Sequence, residues 1–237
     1  MEKILEAKNI TKNYPGVIAL DNVDFNVYKG RVNVLVGENG AGKSTLMKIL
    51  SGVEKQTSGD IFLDNQKLEI NSTKDAESNS IGIIHQELNL FPNLTVHENI
   101  FMGHELMNRY KTVNVNAQIK VTENLMKKLN QNIDPKMLLE SLRIGQQQIV
   151  EIAKALAKKT KILIMDEPSS ALSKNEVSVL FNVISELKNQ GVTIIYISHK
   201  LEEIMQIGDV ITILRDSKFI CEELINKIDI PWITEKM

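Results

Sequence analysis

Residues 31–52 read RVNVLVGENGAGKSTLMKILSG: an apolar run, a glycine-rich turn, then a Lys-Ser pair opening an apolar-periodic segment. This order predicts strand, phosphate-binding loop and helix. Gly37, Gly42, Lys43 and Ser44 fit the spacing G-x-x-x-x-G-K-[ST], in which glycines leave successive backbone N–H groups free to point at phosphate oxygens. The helix N-terminus adds about half a positive charge, and the Lys43 ammonium converges on the same anion. The Ser44 hydroxyl is placed to ligate the magnesium that accompanies a nucleoside triphosphate.

Outward from that stretch, 237 residues with 43% hydrophobic side chains are ample for a buried core. Lys and Arg total 28 against 30 Asp and Glu, a net charge of -2, so the chain has no global attraction for nucleic acid or an anionic membrane. Phosphate recognition must be local. The first ten residues, MEKILEAKNI, lack a cationic segment followed by an apolar core, and no run of 18 apolar residues occurs, so neither a signal peptide nor a spanning helix is expected. A single cysteine, Cys221, excludes an internal disulfide and fits a reducing compartment.

Short β-like runs fill the first third at 4–7, 23–28, 32–36, 59–63 and 81–84, with Pro15 and Gly16 breaking the chain between the first two. From 94 to about 145 the pattern turns helical, with Pro92, Pro135 and the polar stretch 103–116 marking its internal joints and Val121, Leu125 and Leu129 on one face of an expected helix over 116–130. Strand and helix then alternate. A helix is expected over 146–159, a buried strand at 162–165, and a second helix capped by Ser173 and Glu176 and stopped at Gly191. Further strands are expected at 192–197 and 210–214. The fold class is α/β, with a mostly parallel sheet wrapped by helices, which puts a ligand at the carboxyl ends of the strands.

The chemistry-bearing residues fall at those ends. Asp166 and Glu167 directly follow the 162–165 run; beside a phosphate loop, Asp166 can hold the magnesium shell and Glu167 can polarise an attacking water. His199 ends a strand expected beside that one, within reach of a terminal phosphate oxygen. Gln86, after the 81–84 strand, carries an amide able to touch both metal and water.

With these residues in place, the chain resembles the ATP-binding-cassette ATPases, P-loop NTPases with an antiparallel β subdomain and a helical subdomain. It is most similar to the N-terminal cassettes of the monosaccharide importers for ribose, galactose, xylose and arabinose. The matching stretches are VGENGAGKSTLMKILSG, IGIIHQELNLFPNLTVHENIFMG, GQQQIVEIAKAL, IMDEPSSAL and YISHKLEEI. The resemblance implies a single domain over 1–237, with a core and β subdomain at about 1–93 and 146–237 and a helical subdomain at about 94–145. It implies that Tyr14 stacks on adenine and that Gly37, Glu38, Asn39, Gly40, Ala41, Gly42, Lys43, Ser44 and Thr45 hold the phosphates of ATP. Ser44, Gln86 and Asp166 would ligate Mg2+, Glu167 would be the catalytic base and His199 the switch residue. Gln86 would also couple the site to a membrane subunit, and Ser170, Ala171 and Leu172 would face a second cassette. Implied partners are that cassette, identical or divergent, permease subunits at the cytoplasmic face of the membrane and, indirectly, a sugar-binding protein, with no nucleic acid.

Two departures from the family pattern stand out. Where the family carries Leu-Ser-x-Gly, whose serine binds the γ-phosphate held by the opposite cassette, this chain reads Leu142-Arg143-Ile144-Gly145. An arginine there either grips the phosphate more strongly or fails to fit the closed interface, and impairment is the expectation. The chain is also about half the length of the tandem importers, so it is expected to be one half of such a protein. A nucleotide-gated module without turnover is the alternative function that these departures motivate.

Overall fold

The computed structural model describes all residues, Met1–Met237. Alternating side chains decide how its layers stack. Along β3 (Val32–Val36), Val32, Val34 and Val36 enter one core while Leu35 enters another. β7 (Ile162–Asp166) and β8 (Thr193–Ile197) divide the same way: Leu163, Met165, Ile194 and Tyr196 face the first core, and Ile162, Ile164, Ile195 and Ile197 the second. Side chains on a strand alternate faces, so a strand with apolar residues at both odd and even positions is buried on both. These strands accordingly form the middle of the sheet.

With β6 (Ile81–Ile84), β9 (Val210–Arg215) and β10 (Lys218–Leu224) they make a six-stranded sheet of order β10-β9-β3-β8-β7-β6. Every pairing is parallel except the antiparallel edge pair β9–β10. A second, antiparallel sheet has the order β2-β1-β4-β5, from β1 (Lys3–Tyr14), β2 (Val17–Tyr28), β4 (Ser58–Leu63) and β5 (Gln66–Leu68). Helix α1 (Lys43–Leu50) contributes Leu46, Met47, Ile49 and Leu50 to the second core, which it shares with Leu5, Ala7 and Phe25 of that antiparallel sheet. Truncating one of them, for example Leu46→Ala, is expected to cost about 2–5 kcal/mol. Short α2 (Thr73–Ser78) precedes β6.

The first core is closed by α5 (Ile144–Ala157) and α6 (Lys174–Asn189). Helices α3 (Val96–Phe101) and α4 (Val115–Lys128) pack chiefly on α5 and on each other. The chain ends through α7 (Leu201–Ile207) and α8 (Ile230–Lys236). None of these helices is long and apolar enough to cross a membrane.

Several boundaries differ from those read off the sequence, each for a local reason. Within 94–145 the polar stretch expected as a joint is non-helical through Asn114. Asn108 accepts the amides of Tyr110 and Thr112 through its side-chain oxygen, a turn that competes with helix and joins Met107 to Val113 in an isolated bridge. The helix expected over 116–130 starts at Val115, because Asn114 caps it by accepting from Ala117 N at 3.1 Å. It stops at Lys128, two residues before Asn130, which takes a left-handed φ of 54°. β1 and β2 are each longer than their apolar cores, since a hairpin at Pro15-Gly16 lets pairing run to Tyr14 and Val17. The stop at Gly191 and the Ser173–Glu176 capping box stand as expected. Cys221 lies half-buried on β10 against the first core.

Candidate active site

Parallel pairing brings the carboxyl ends of β3, β6, β7 and β8 to one edge, and the polar residues that follow them meet there. Gly42 opens α1 with φ 99°, and a Cβ at that position would lie 2.6 Å from the Ala19 carbonyl oxygen. Only glycine fits both the backbone and the space. The turn thus presents the N-terminus of an eight-residue helix to a cleft of about 370 Å³. Lys43, Ser44 and Thr45 line this cleft together with Gln86, Asp166 and Glu167.

The Lys43 ammonium is folded across the loop, donating to the carbonyls of Gly37 at 2.7 Å and Glu38 at 2.9 Å. Burial pushes its pKa below the usual lysine value, and the carboxylates of Glu167 and Asp166 act against that shift. Asp166 is shifted the other way. Burial is the main reason that its pKa is raised, and the negative Glu167 beside it adds to the effect. A partly desolvated carboxylate gains most from a cation that replaces lost water, so hydroxyl, amide and carboxylate oxygens of Ser44, Gln86 and Asp166 suit a hard divalent ion.

Glu167 has a φ of 46°, a left-handed conformation that costs a non-glycine residue on the order of 1–3 kcal/mol. Its N–H donates to Ile197 O at 3.0 Å, which ties the end of β7 to the end of β8. Its Oε1 lies 3.0 Å from Nδ1 of His199. The imidazole is well exposed, with 61% of its side-chain surface open, while Glu167 is at 24%. A carboxylate oriented by an imidazole at the mouth of a cleft lined by Lys43 and a helix N-terminus is suited to take a proton from water.

Of the residues singled out from the sequence, Asn39, Gly40, Gly42, Lys43, Ser44, Thr45, Gln86, Asp166 and Glu167 line the cleft. His199 reaches it through Glu167. Gly37 and Glu38 hold Lys43 by their carbonyls, and Ala41 is buried in the second core. Tyr14 does not line the cleft; its ring instead lies under the Lys12 ammonium, 4.9 Å from the centroid. The lining also includes Val17, Ile18 and Ala19 of β2 and Ser217 of the β9–β10 turn, none of which the sequence reading selected. Val17 and Ile18 are 62% and 56% exposed, a pair of open aliphatic residues after a Pro-Gly turn that was the available signal.

At the N-terminus of α5 the serine position is taken by Arg143, whose guanidinium has no acceptor to offer a helix amide. Its backbone N–H donates to Gln146 Oε1 at 3.1 Å. The acceptor comes from elsewhere: Glu176 Oε1 receives the Gly145 N–H at 3.1 Å, while its Oε2 accepts from Ser173 N and Oγ. The Ser173 hydroxyl and amide, then Gly145 N–H, hold the Glu176 carboxyl below its usual range.

This phosphate loop, acidic strand end and strand-end histidine coincide with a family match. The ABC transporter family model matches residues 20–170. The chain belongs to the ABC transporter family. The cassette is 50% identical over 220 residues to the galactose/methyl galactoside import ATP-binding protein of Clostridium tetani, covering 92% of this chain and 44% of that one. It is 52% identical to the xylose import ATP-binding protein of Thermoanaerobacter pseudethanolicus, again over 92% of this chain and 44% of that one. The cassette therefore spans less than half the length of the curated relatives it matches. Among solved structures it resembles the ADP conformation of an ATP-binding cassette of an ABC transporter at TM-score 0.86 and 25% identity, over 99% of this chain and 98% of that one.

Proposed function

We propose that this cassette binds and hydrolyses ATP to drive import of a monosaccharide such as ribose, galactose or xylose. The observation that carries the reading is the Glu167–His199 pair at the rim of the cleft that Lys43 and Ser44 also line. The names of relatives 45% to 52% identical, import ATP-binding proteins for galactose, xylose and ribose, support the substrate class.

In this mechanism the loop amides of residues 37–45 and the Lys43 ammonium hold the triphosphate, with the exposed β2 pair Val17 and Ile18 on the side of the base; stacking of Tyr14 on adenine would need its ring to leave the Lys12 ammonium. Ser44, Gln86 and Asp166 would hold magnesium, which would supply charge neutralisation for the phosphates. Glu167 takes the proton from the attacking water, and His199 keeps the carboxylate oriented and meets the terminal phosphate. The loop through Ser170, Ala171 and Leu172 faces a second cassette, and the two close on nucleotide and open after hydrolysis. Closure passes through residues 86–99, between the sheet and the helical segment 94–145, to permease subunits on the cytoplasmic face of the membrane. A sugar-binding protein acts upstream of that pair.

Calorimetry with MgATP on wild type and Lys43→Ala tests binding, and phosphate release from the chain with its membrane partners tests turnover. MgATP binding that Lys43→Ala weakens by about 10- to 100-fold, and phosphate release that Glu167→Gln lowers by about 10²–10⁴-fold, are the expected results. Absence of MgATP heat from the folded wild type overturns the reading. Binding without phosphate release favours the module without turnover, the reading that Arg143 motivates.

A further inference from the structure

Behind the His199 loop, one buried carboxylate gathers groups from three separate segments. Glu203 on α7 is 9% exposed, and its Oε2 accepts from Ser169 Oγ at 2.6 Å and from Tyr196 Oη at 2.9 Å. Ser169 is 1% exposed and Tyr196 fully buried. Lys200 completes the cluster: its Nζ donates to the Ser169 carbonyl at 3.0 Å and lies 3.2 Å from Glu203 Oε1. None of these four side chains lines the nucleotide cleft.

Their places in the chain explain what they join. Ser169 stands two residues after Glu167, Tyr196 three before His199, and Lys200 next to His199. The loop that carries Glu167 and the loop that carries His199 are thus pinned to the same carboxylate. Glu167 needs such support, because its left-handed φ of 46° precedes Pro168 and is held only by its surroundings. Buried hydrogen bonds to a charged acceptor are the stronger kind, and they fix direction as well as distance.

We infer that Glu203 is a positioning residue for hydrolysis, a strut that sets Glu167 and His199 in register through Ser169 and Tyr196. The inference rests on the proposed ATP-hydrolysing role of that pair. It places no substrate contact on Glu203.

The test compares Glu203→Ala, Glu203→Gln and Tyr196→Phe with wild type, using amide hydrogen exchange on this chain and steady-state hydrolysis with the membrane partners. In Glu203→Ala, exchange in 169–172 and 198–200 is expected to quicken by about tenfold or more while the rest of the chain is unchanged. The kcat should fall by about tenfold or more with KM within about twofold, since misplacement of catalytic groups spares ground-state binding. The carbonyl oxygen of Glu203→Gln can still accept both hydroxyls, so that variant should stay within about threefold of wild type. Tyr196→Phe, which keeps the ring and drops one hydrogen bond, should fall between them.

Unchanged exchange in both loops of Glu203→Ala overturns the inference. So does a fall of kcat and KM together that Glu203→Gln does not rescue. Should Glu203→Ala fail to fold, Tyr196→Phe decides on the same readouts, local loosening supporting the strut and unaltered exchange refuting it. Exchange does not depend on turnover, so a failure of the ATPase reading, seen as phosphate release indifferent to Glu167→Gln, is told apart from a failure of the strut.

Discussion

Nδ1 of His199 lies 3.0 Å from Oε1 of Glu167, although the two residues are 32 positions apart in sequence. The contact exists because β7 and β8 are parallel neighbours, with Asp166 level with Ile197. Glutamine at 167 keeps the shape and loses the basic oxygen. Glu167→Gln is therefore expected to lower phosphate release by about 10²–10⁴-fold while MgATP binding persists. Loss of both binding and turnover, or of neither, would contradict the role assigned to Glu167.

Lys43 makes its present hydrogen bonds to carbonyls, and burial already weakens its hold on a proton. A phosphate would restore the favourable partner. Removing one charge-assisted hydrogen bond costs about 1.5–3 kcal/mol, so Lys43→Ala should weaken MgATP binding by about 10- to 100-fold in calorimetry. Equal affinity in the two proteins would remove Lys43 from the site.

Arg143 occupies the cap of α5 without a side-chain acceptor, and Glu176 supplies one from the neighbouring helix. A serine there could accept from the Gln146 amide and complete the box that Gln146 already half forms. Arg143→Ser is expected to stabilise the fold by about 0.5–2 kcal/mol in chemical denaturation, and to raise phosphate release in the assembled transporter. Unchanged turnover would show that the arginine is no impairment.

Glu151 on α5 is 7% exposed, and its Oε2 has no hydrogen-bond partner. Burial raises its pKa, with Lys154 and the Asn89 amide acting in the opposite direction. A carboxyl whose folded pKa is raised disfavours folding only when ionised. The penalty is absent below the ordinary carboxylate pKa of about 4.3, grows as pH climbs through the raised folded value, and is complete above it. Glu151→Gln should accordingly raise the thermal midpoint in alkaline buffer and leave it unchanged in acid. A midpoint gain that persists in acid would assign the effect to something other than charge.

Local signals carried much of this molecule. The phosphate loop, the largely apolar strands β3, β7 and β8, the Ser173–Glu176 box and the Gly191 stop were legible because each depends on neighbours a few residues away. The joint at 103–116 was legible as a polar stretch, but not the Asn108 turn and the Met107–Val113 bridge that build it, which apolar periodicity does not register. Val17, Ile18 and Ser217 were missed for a different reason. The Pro15-Gly16 turn before Val17 is the one local mark, and only the packing of β2 and the β9–β10 turn against the loop brings these residues to the cleft.

By itself the sequence determined the groups we propose hold a triphosphate, because the geometry of a glycine turn feeding a helix is written in consecutive residues. It also determined that the central strands are buried on both faces. Only the tertiary structure decided which of those groups meet. The parallel register of β7 and β8 set Glu167 beside His199, and the packing of α7 put Glu203 under both loops. Contacts between segments this far apart depend on strand order and helix packing, which no local pattern encodes.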